Sequence, residues 1–402
     1  MRKPGMLLLS FFCFALVAGR ASDDGAGPKT SSNRASAQSQ STSIGGEPVV
    51  TLERPRSSHA GKPQFLEATV LPGRGMNLLQ VRVYLPGKGE IDLLTSPPLP
   101  EAKQILDEGD DAFGNKGFQV GAGLLLPYAN RIRGRLSPDG KTISTTIAGK
   151  TVALPANWHG QNPDAEVLAM HGLILSAKFQ NVRLQNGPAQ SSVTADLHGG
   201  DFGGHWLSQT DVHVATILKN DALEMNVTAK NVGHEPLPIG IAFHPWFTLP
   251  SGDRQQARLH LPSEARALVN NYDDVVPTGA VVPVKGTPYD FSAPGGAPLG
   301  GLFMDDNFVD VKHNKDGSSV VEIIDPAAHY GLRITALSPE VKAIQVYAPP
   351  DKSFVVVEPQ FNLADPYNKI WGKTDTGMVL LQPGQSVSWR VRLELFIPPK
   401  AK

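Results

Sequence analysis

Along most of the chain, apolar and polar residues alternate in short runs with a period of two. In "ALEMNVTAK", Leu223, Met225, Val227 and Ala229 alternate with Glu224, Asn226, Thr228 and Lys230, and in "SVSWRVRLELF" Val387, Trp389, Val391, Leu393 and Leu395 alternate with polar neighbours. Period two over that length marks half-buried strands. Similar runs recur at "FLEATVLP", "LLQVRVYLP", "DVHVATILK", "SVVEIID", "GLRITAL", "KAIQVYAP" and "SFVVVEP". No stretch holds a helical period beyond about two turns. The 40 glycines and 34 prolines fall mostly between the runs, as turns between many strands require. The pattern predicts an all-β protein, a large antiparallel β-sandwich, and the lack of a fixed internal repeat disfavours a propeller or solenoid.

The N-terminus departs from this pattern. Arg2 and Lys3 precede the apolar run "MLLLSFFCFALVAG", and "GRAS" offers a small-residue cleavage site after Ala21, with Ala18 as a second choice. Residues 1 to 21 therefore read as a signal peptide, too short for a membrane-spanning helix. The expected location is secreted or periplasmic. Residues 22 to 46 are rich in Ser, Gly and Ala without an aromatic residue and read as a disordered tether. Residues 47 to 400 remain for the sandwich. The single cysteine, Cys13, falls in the signal and lacks the small residues that precede a lipidated cysteine, so the mature chain relies on its core rather than on disulfides. Loss of Arg2, Lys3 and Arg20 leaves 34 basic against 38 acidic residues, a net charge near −4. That balance gives no reason to expect nucleic acid or an anionic membrane as partner.

Several reaction classes drop out, because the chain has no Gly-x-Ser-x-Gly elbow, His-Glu-x-x-His, phosphate loop, dinucleotide fingerprint or mature cysteine. Acid, base and polar recognition remain. "HGGDFGGH" gathers His198, Asp201 and His205, with His213 nearby, but its spacing matches no metal motif and it reads as a glycine-rich loop. In "IAFHPWFTLP" the proline holds His244 extended, and strand alternation would put His244 and Trp246 on one face with Phe243 and Phe247 on the other. In "SFVVVEPQFNLADPYN" three valines lead into Glu358, again before proline. A carboxylate at the end of an apolar strand gains basicity by desolvation, as a general base near neutral pH requires. Arg131, Arg133 and Arg135 alternate in "NRIRGR" and on one strand would share a face, either as a solvated edge or as a donor fork for hydroxyls.

Taken in order, "PYANRI", "AMHGLIL", "FHPWF", "MDDNF" and "VVVEPQFNLADPYN" resemble the segments of the aldose 1-epimerase, or galactose mutarotase, family over roughly residues 47 to 398. The resemblance implies the galactose mutarotase-like supersandwich, with His244 as general acid, Glu358 as general base and Arg131 as substrate ligand. It implies Asp305 as acceptor for a sugar hydroxyl, with Asp306 a close rival. The family's second histidine, in Leu-His-Gly-Gly, matches His171 best, because the strand-like "LILSAKF" follows it; His159 in "NWHGQ" and His198 in "LHGGD" are the alternatives. Here Leu173 stands where the second glycine would be. The implied reaction interconverts anomers of a free aldohexose such as glucose or galactose, needs no metal or organic cofactor, and has a small sugar as its partner, on a monomer or weak dimer. The rival of another class is a sandwich that binds carbohydrate without turning it over.

Overall fold

The computed structural model describes residues 43–57, 61–108 and 111–399. The expected signal peptide and most of the tether lie outside them. Two large antiparallel sheets dominate, one of eleven and one of nine strands among the described residues. The alternating runs become strands nearly residue for residue, Ala222–Asn231 and Ser386–Phe396 pairing along the middle of the nine-stranded sheet. The tether boundary needs correction: Ser43–Ile44 already pairs with Glu47–Pro48, and Ile44 is fully buried, packed against Leu71 and Ala102. A nonpolar side chain at position 44 therefore joins the core inside the segment read as tether.

The two sheets share one core. Val227, Trp389 and Leu393 from the nine-stranded sheet pack with Phe243, Ile344, Val355 and Val357 from the eleven-stranded one. The Phe243 and Trp389 rings lie 6.4 Å apart, and the Trp389 indole donates to the Pro359 carbonyl at 3.0 Å, so core packing fixes the backbone next to Glu358. Expected alternation in "IAFHPWF" is realised: Phe243 and Phe247 enter the core, and the His244 and Trp246 rings lie 5.3 Å apart on the other face.

Three local expectations fail. Leu99–Asp107 is an α-helix whose first residues carry a proline and whose buried stripe is only Ala102 and Leu106, too narrow to register as a period. "LILSAKF" forms no strand; Ile174 and Leu175 are buried in an irregular segment. Arg131, Arg133 and Arg135 do not share a strand. Arg131–Ile132 pairs with Val167–Met170, whereas Arg135–Leu136 pairs with Thr142–Ile147 in a separate small sheet. Gly134 at the break would have no room for a Cβ beside Ser144.

Candidate active site

Three neighbouring strands of the larger sheet, Met304–Val311, Ala343–Ala348 and Phe354–Gln360, turn one face away from the core. Cross-strand register aligns Asn307 with Gln345 and Gln345 with Glu358, and one step along it aligns Asp305 with Tyr347 and Tyr347 with Val356. Trp246 on Ala242–Thr248 extends the second row beside Val356. Alternation therefore delivers two carboxylates, two amides and two aromatic rings to one surface.

Arg131 and His171 arrive from outside the sheet. Arg131 is the Cα partner of Met170, and the His171 amide donates to the Asn130 carbonyl at 2.9 Å, which sets the histidine one residue beyond the strand that pairs with the arginine's. His171 has φ +63° and Gly172 φ +76°. At Gly172 a Cβ would run into the backbone of Leu126, so this glycine is required by a close approach and a left-handed backbone. Leu173 donates its amide to the Leu126 carbonyl at 2.7 Å and packs against the core, which is how a leucine occupies the place of a second glycine.

The structure brings His244, His171, Glu358, Arg131 and Asp305 together. Nε2 of His244 lies 3.5 Å from Oε1 of Glu358, and the two histidine rings are 5.0 Å apart. Arg131 Nη2 reaches Asp305 Oδ2 at 3.3 Å. Four amide side chains tie the carboxylates to one another. Gln360 donates to Glu358 Oε2 at 3.0 Å and Gln345 to Asp305 Oδ1 at 2.6 Å, while Asn307 donates to both glutamines and Asn130 to Gln345. Each carboxylate thus has one oxygen fixed by an amide and the other turned toward a histidine or arginine. All are buried.

Burial decides the charges here. Desolvation pushes the Glu358 carboxyl up to about 8, against the donated bond from Gln360, while Asp305 adds to the rise and Arg131 opposes it. The same desolvation brings the His244 imidazole down to about 4, with Arg131 nearby adding to the effect. His171 is held well below the usual histidine range by burial and by the neighbouring His244. Near neutral pH the pair therefore carries one proton between them, and neither residue is charged. The Nδ1 atoms of both histidines and Nε of Arg131 are buried without a hydrogen-bond partner in the protein.

The remaining candidates lie elsewhere. Asp306 points away from Arg131 and is held by Arg266 and by the Tyr272 hydroxyl at 2.9 Å. His159 bonds its own loop at Gly160, and Arg133 pairs with Glu166 at 2.8 Å. His198 and His213 form cross-strand pairs with Asp211 and Asp196 at 3.0 and 2.7 Å on the nine-stranded sheet, and His205 bonds the Ala153 carbonyl. Among the described residues no group of three or more His, Cys, Asp or Glu side chains could hold a metal ion. Nor is any described helix long and apolar enough to cross a membrane.

Sequence reasoning missed the walls of the site. Phe118 sets its edge against His171 and His244 at 5.2 and 5.7 Å and is fixed by the Trp246 indole, which donates to its carbonyl at 3.0 Å. Trp158 lies under the Arg131 guanidinium at 4.8 Å. "NKGFQ" gives no signal for Phe118. Gln345 could have been found, because it interrupts an apolar strand two residues from Tyr347 and opposite Glu358.

The family model of aldose 1-epimerase matches residues 93–394. The chain belongs to the aldose 1-epimerase family. Its fold is that of galactose mutarotase-like proteins of known structure. A galactose mutarotase-like protein from Clostridium acetobutylicum aligns with a TM-score of 0.65 at 17% identity, covering 88% of this chain and 99% of that one. The aldose epimerase homologue from C. elegans aligns with a TM-score of 0.63 at 16% identity, covering 87% and 99%. Galactose 1-epimerase from Lactobacillus acidophilus aligns with a TM-score of 0.58 at 16% identity, covering 87% and 99%. No curated protein matches the chain significantly in sequence.

Proposed function

We propose that this member of the aldose 1-epimerase family is a mutarotase that interconverts the α and β anomers of a free aldohexose such as glucose or galactose. The observation that carries the reading is the buried His244–Glu358 pair, 3.5 Å apart, within a site whose other groups suit neutral hydroxyls. Anomer exchange needs one proton to leave the C1 hydroxyl and one to reach the ring oxygen. A pair holding a single proton supplies both.

In the empty site burial favours that proton on Glu358. A sugar hydroxyl donating to Glu358 stabilises the carboxylate and shifts the proton to His244. Glu358 then takes the proton of the C1 hydroxyl while His244 protonates the ring oxygen. The C1–O5 bond breaks, its electron pair going to O5, and C1 becomes an aldehyde. Rotation about C1–C2 and the reverse transfers close the ring to either anomer. Asp305 and Arg131 hold hydroxyls on the far side of the sugar, and His171 with Phe118 closes the wall beside His244. The signal-like sequence of residues 1 to 21 supports a secreted or periplasmic setting for this work.

The test is polarimetry on freshly dissolved α-glucose and α-galactose. The rotation should relax faster than in buffer, at a rate proportional to protein concentration; relaxation at the buffer rate for both sugars would remove the reading for those substrates.

A further inference from the structure

The catalytic face does not end at His244, Glu358 and Asp305. Beyond the row Asp305, Tyr347, Val356 and Trp246, aromatic rings continue in contact toward the end of the sheet. The Trp246 and Tyr347 centroids are 5.8 Å apart, Tyr347 and Phe303 6.2 Å, and Phe303 and Tyr272 4.8 Å. The first three rings are half-buried and Tyr272 is 40% exposed. The face thus passes from carboxylates and amides at Glu358 and Asp305 to an apolar strip at Phe303 and Tyr272.

Two buried charged groups hold that strip in place. Arg254 donates to the carbonyls of Gly300, Leu302 (2.5 Å) and Ala348 (2.8 Å), clamping the residues before Phe303 to the end of the strand that carries Tyr347. Tyr272 sits on a loop and turns its hydroxyl inward, donating to the fully buried Asp306 at 2.9 Å and meeting the Tyr289 hydroxyl at 3.2 Å. A surface tyrosine ordinarily sends its hydroxyl to water and lays its ring on the protein. Here the hydroxyl is anchored and the ring is presented. The same loop is latched to the one after Trp158: Asp273 accepts from the amides of Gln161 at 2.7 Å and Asn162 at 3.0 Å. An exposed ring fixed from below, on a loop fixed from the side, is pre-organised for a ligand.

We infer that Phe303 and Tyr272 form a second sugar subsite, so that the preferred substrate class is the reducing end of a short oligosaccharide. The inference rests on the reading of the neighbouring pocket as the place where a reducing sugar sits. With C1 at Glu358 and His244, the far edge of that sugar lies toward Asp305 and Tyr347, and a unit glycosidically linked there extends over Phe303 and Tyr272. The C–H face of a pyranose is apolar and matches an aromatic ring, while its hydroxyls stay in water. Asp306 then has a role: it is a positioning residue for Tyr272, which explains a buried carboxylate beside the one that faces the reacting sugar.

The experiment measures binding by calorimetry and anomer exchange by polarimetry, separately, on glucose and galactose and on maltose, cellobiose and lactose. Wild type should bind at least one reducing disaccharide roughly tenfold more tightly than its reducing-end monosaccharide, the scale on which a well-placed aromatic contact acts. Tyr272→Ala should bring that ratio close to one. Tyr272→Phe, which keeps the ring and loses the anchor, should retain part of it and guards against loss through misfolding. Equal affinity for disaccharide and monosaccharide in wild type, or a Tyr272→Ala effect of the same factor on both, would overturn the subsite. The two readings fail separately. Faster anomer exchange without a disaccharide preference sinks the subsite alone, and a Tyr272-dependent preference without exchange supports the subsite and sinks the mutarotase. Binding of none of the five sugars sinks both.

Discussion

Nε2 of His244 lies 3.5 Å from Oε1 of Glu358, and burial pushes the two groups in opposite directions, the carboxyl up to about 8 and the imidazole down to about 4. Across that window the pair binds one proton. Gln360 and the packing of Trp389 on Pro359 hold Glu358 still, while Phe118 and Trp246 hold His244, so the proton has two fixed addresses.

A bell-shaped pH profile of kcat/KM follows. Below about 4 His244 also takes a proton and the pair has no base; above about 8 Glu358 loses its proton and the pair has no acid. The maximum should stand at about pH 6, with limbs that belong to the pair rather than to either residue. A rate that climbs steadily from pH 6 to 9 would contradict the shared proton.

Glu358→Gln should stabilise the fold increasingly as pH rises. The folded chain keeps a proton on Glu358 up to about 8, whereas the unfolded chain releases it near 4.5, so the cost to folding is absent below 4.5, grows across the window and levels off above 8. The amide has no such cost, and its advantage should grow by up to about 1.4 kcal/mol per pH unit in that window. Thermal melts at pH 5 and pH 8 read this directly. An equal difference in Tm at both would show that Glu358 ionises freely in the folded state.

Asp305→Ala would leave Arg131 buried without its carboxylate and Gln345 without an acceptor. A loss of about 3 kcal/mol is expected from breaking a buried pair on one side, together with a higher KM. Asp306→Ala should lower stability too, through Arg266 and Tyr272, while leaving the KM for a monosaccharide much closer to wild type. Denaturant midpoints and initial rates on the two variants separate the neighbours.

Gly172→Ala should cost about 2 kcal/mol or more, because the residue has φ +76° and its Cβ would meet the Leu126 backbone. His171 precedes it directly and shares the strained turn, so activity should fall along with stability. A variant as stable as wild type in urea would show that the turn can relax.

Strand placement was legible because alternation is a backbone property: Ser386–Phe396 is bounded as its pattern reads. The site was legible where an ionisable residue interrupted apolar neighbours, as at His244 and Glu358. It was less so where polar residues looked like an ordinary solvent face. Gln345 and Tyr347 alternate with Ile344 and Val346 in a strand that is buried on both faces at Gln345, a distinction period two cannot make. The strand expected after His171 does not form, and the setting of this residue, a left-handed turn beneath Leu126, has no periodic signature. Arg133 and Arg135 resembled Arg131 in spacing, but the break at Gly134 sends them to Glu166 and to solvent. Phe118 and Trp158 reach the site from a five-residue helix, Asn115–Gln119, and a two-residue strand, Trp158–His159, both too short to leave a period in the sequence.

Polarimetry of freshly dissolved α-galactose and α-glucose with wild type and Glu358→Gln tests most directly whether Glu358 and His244 exchange protons with a sugar. Wild type should accelerate relaxation, and the variant, folded and more heat-stable at pH 8, should lose about 10²- to 10⁴-fold of that acceleration. Equal acceleration by the two proteins would contradict the assignment of Glu358 as the base.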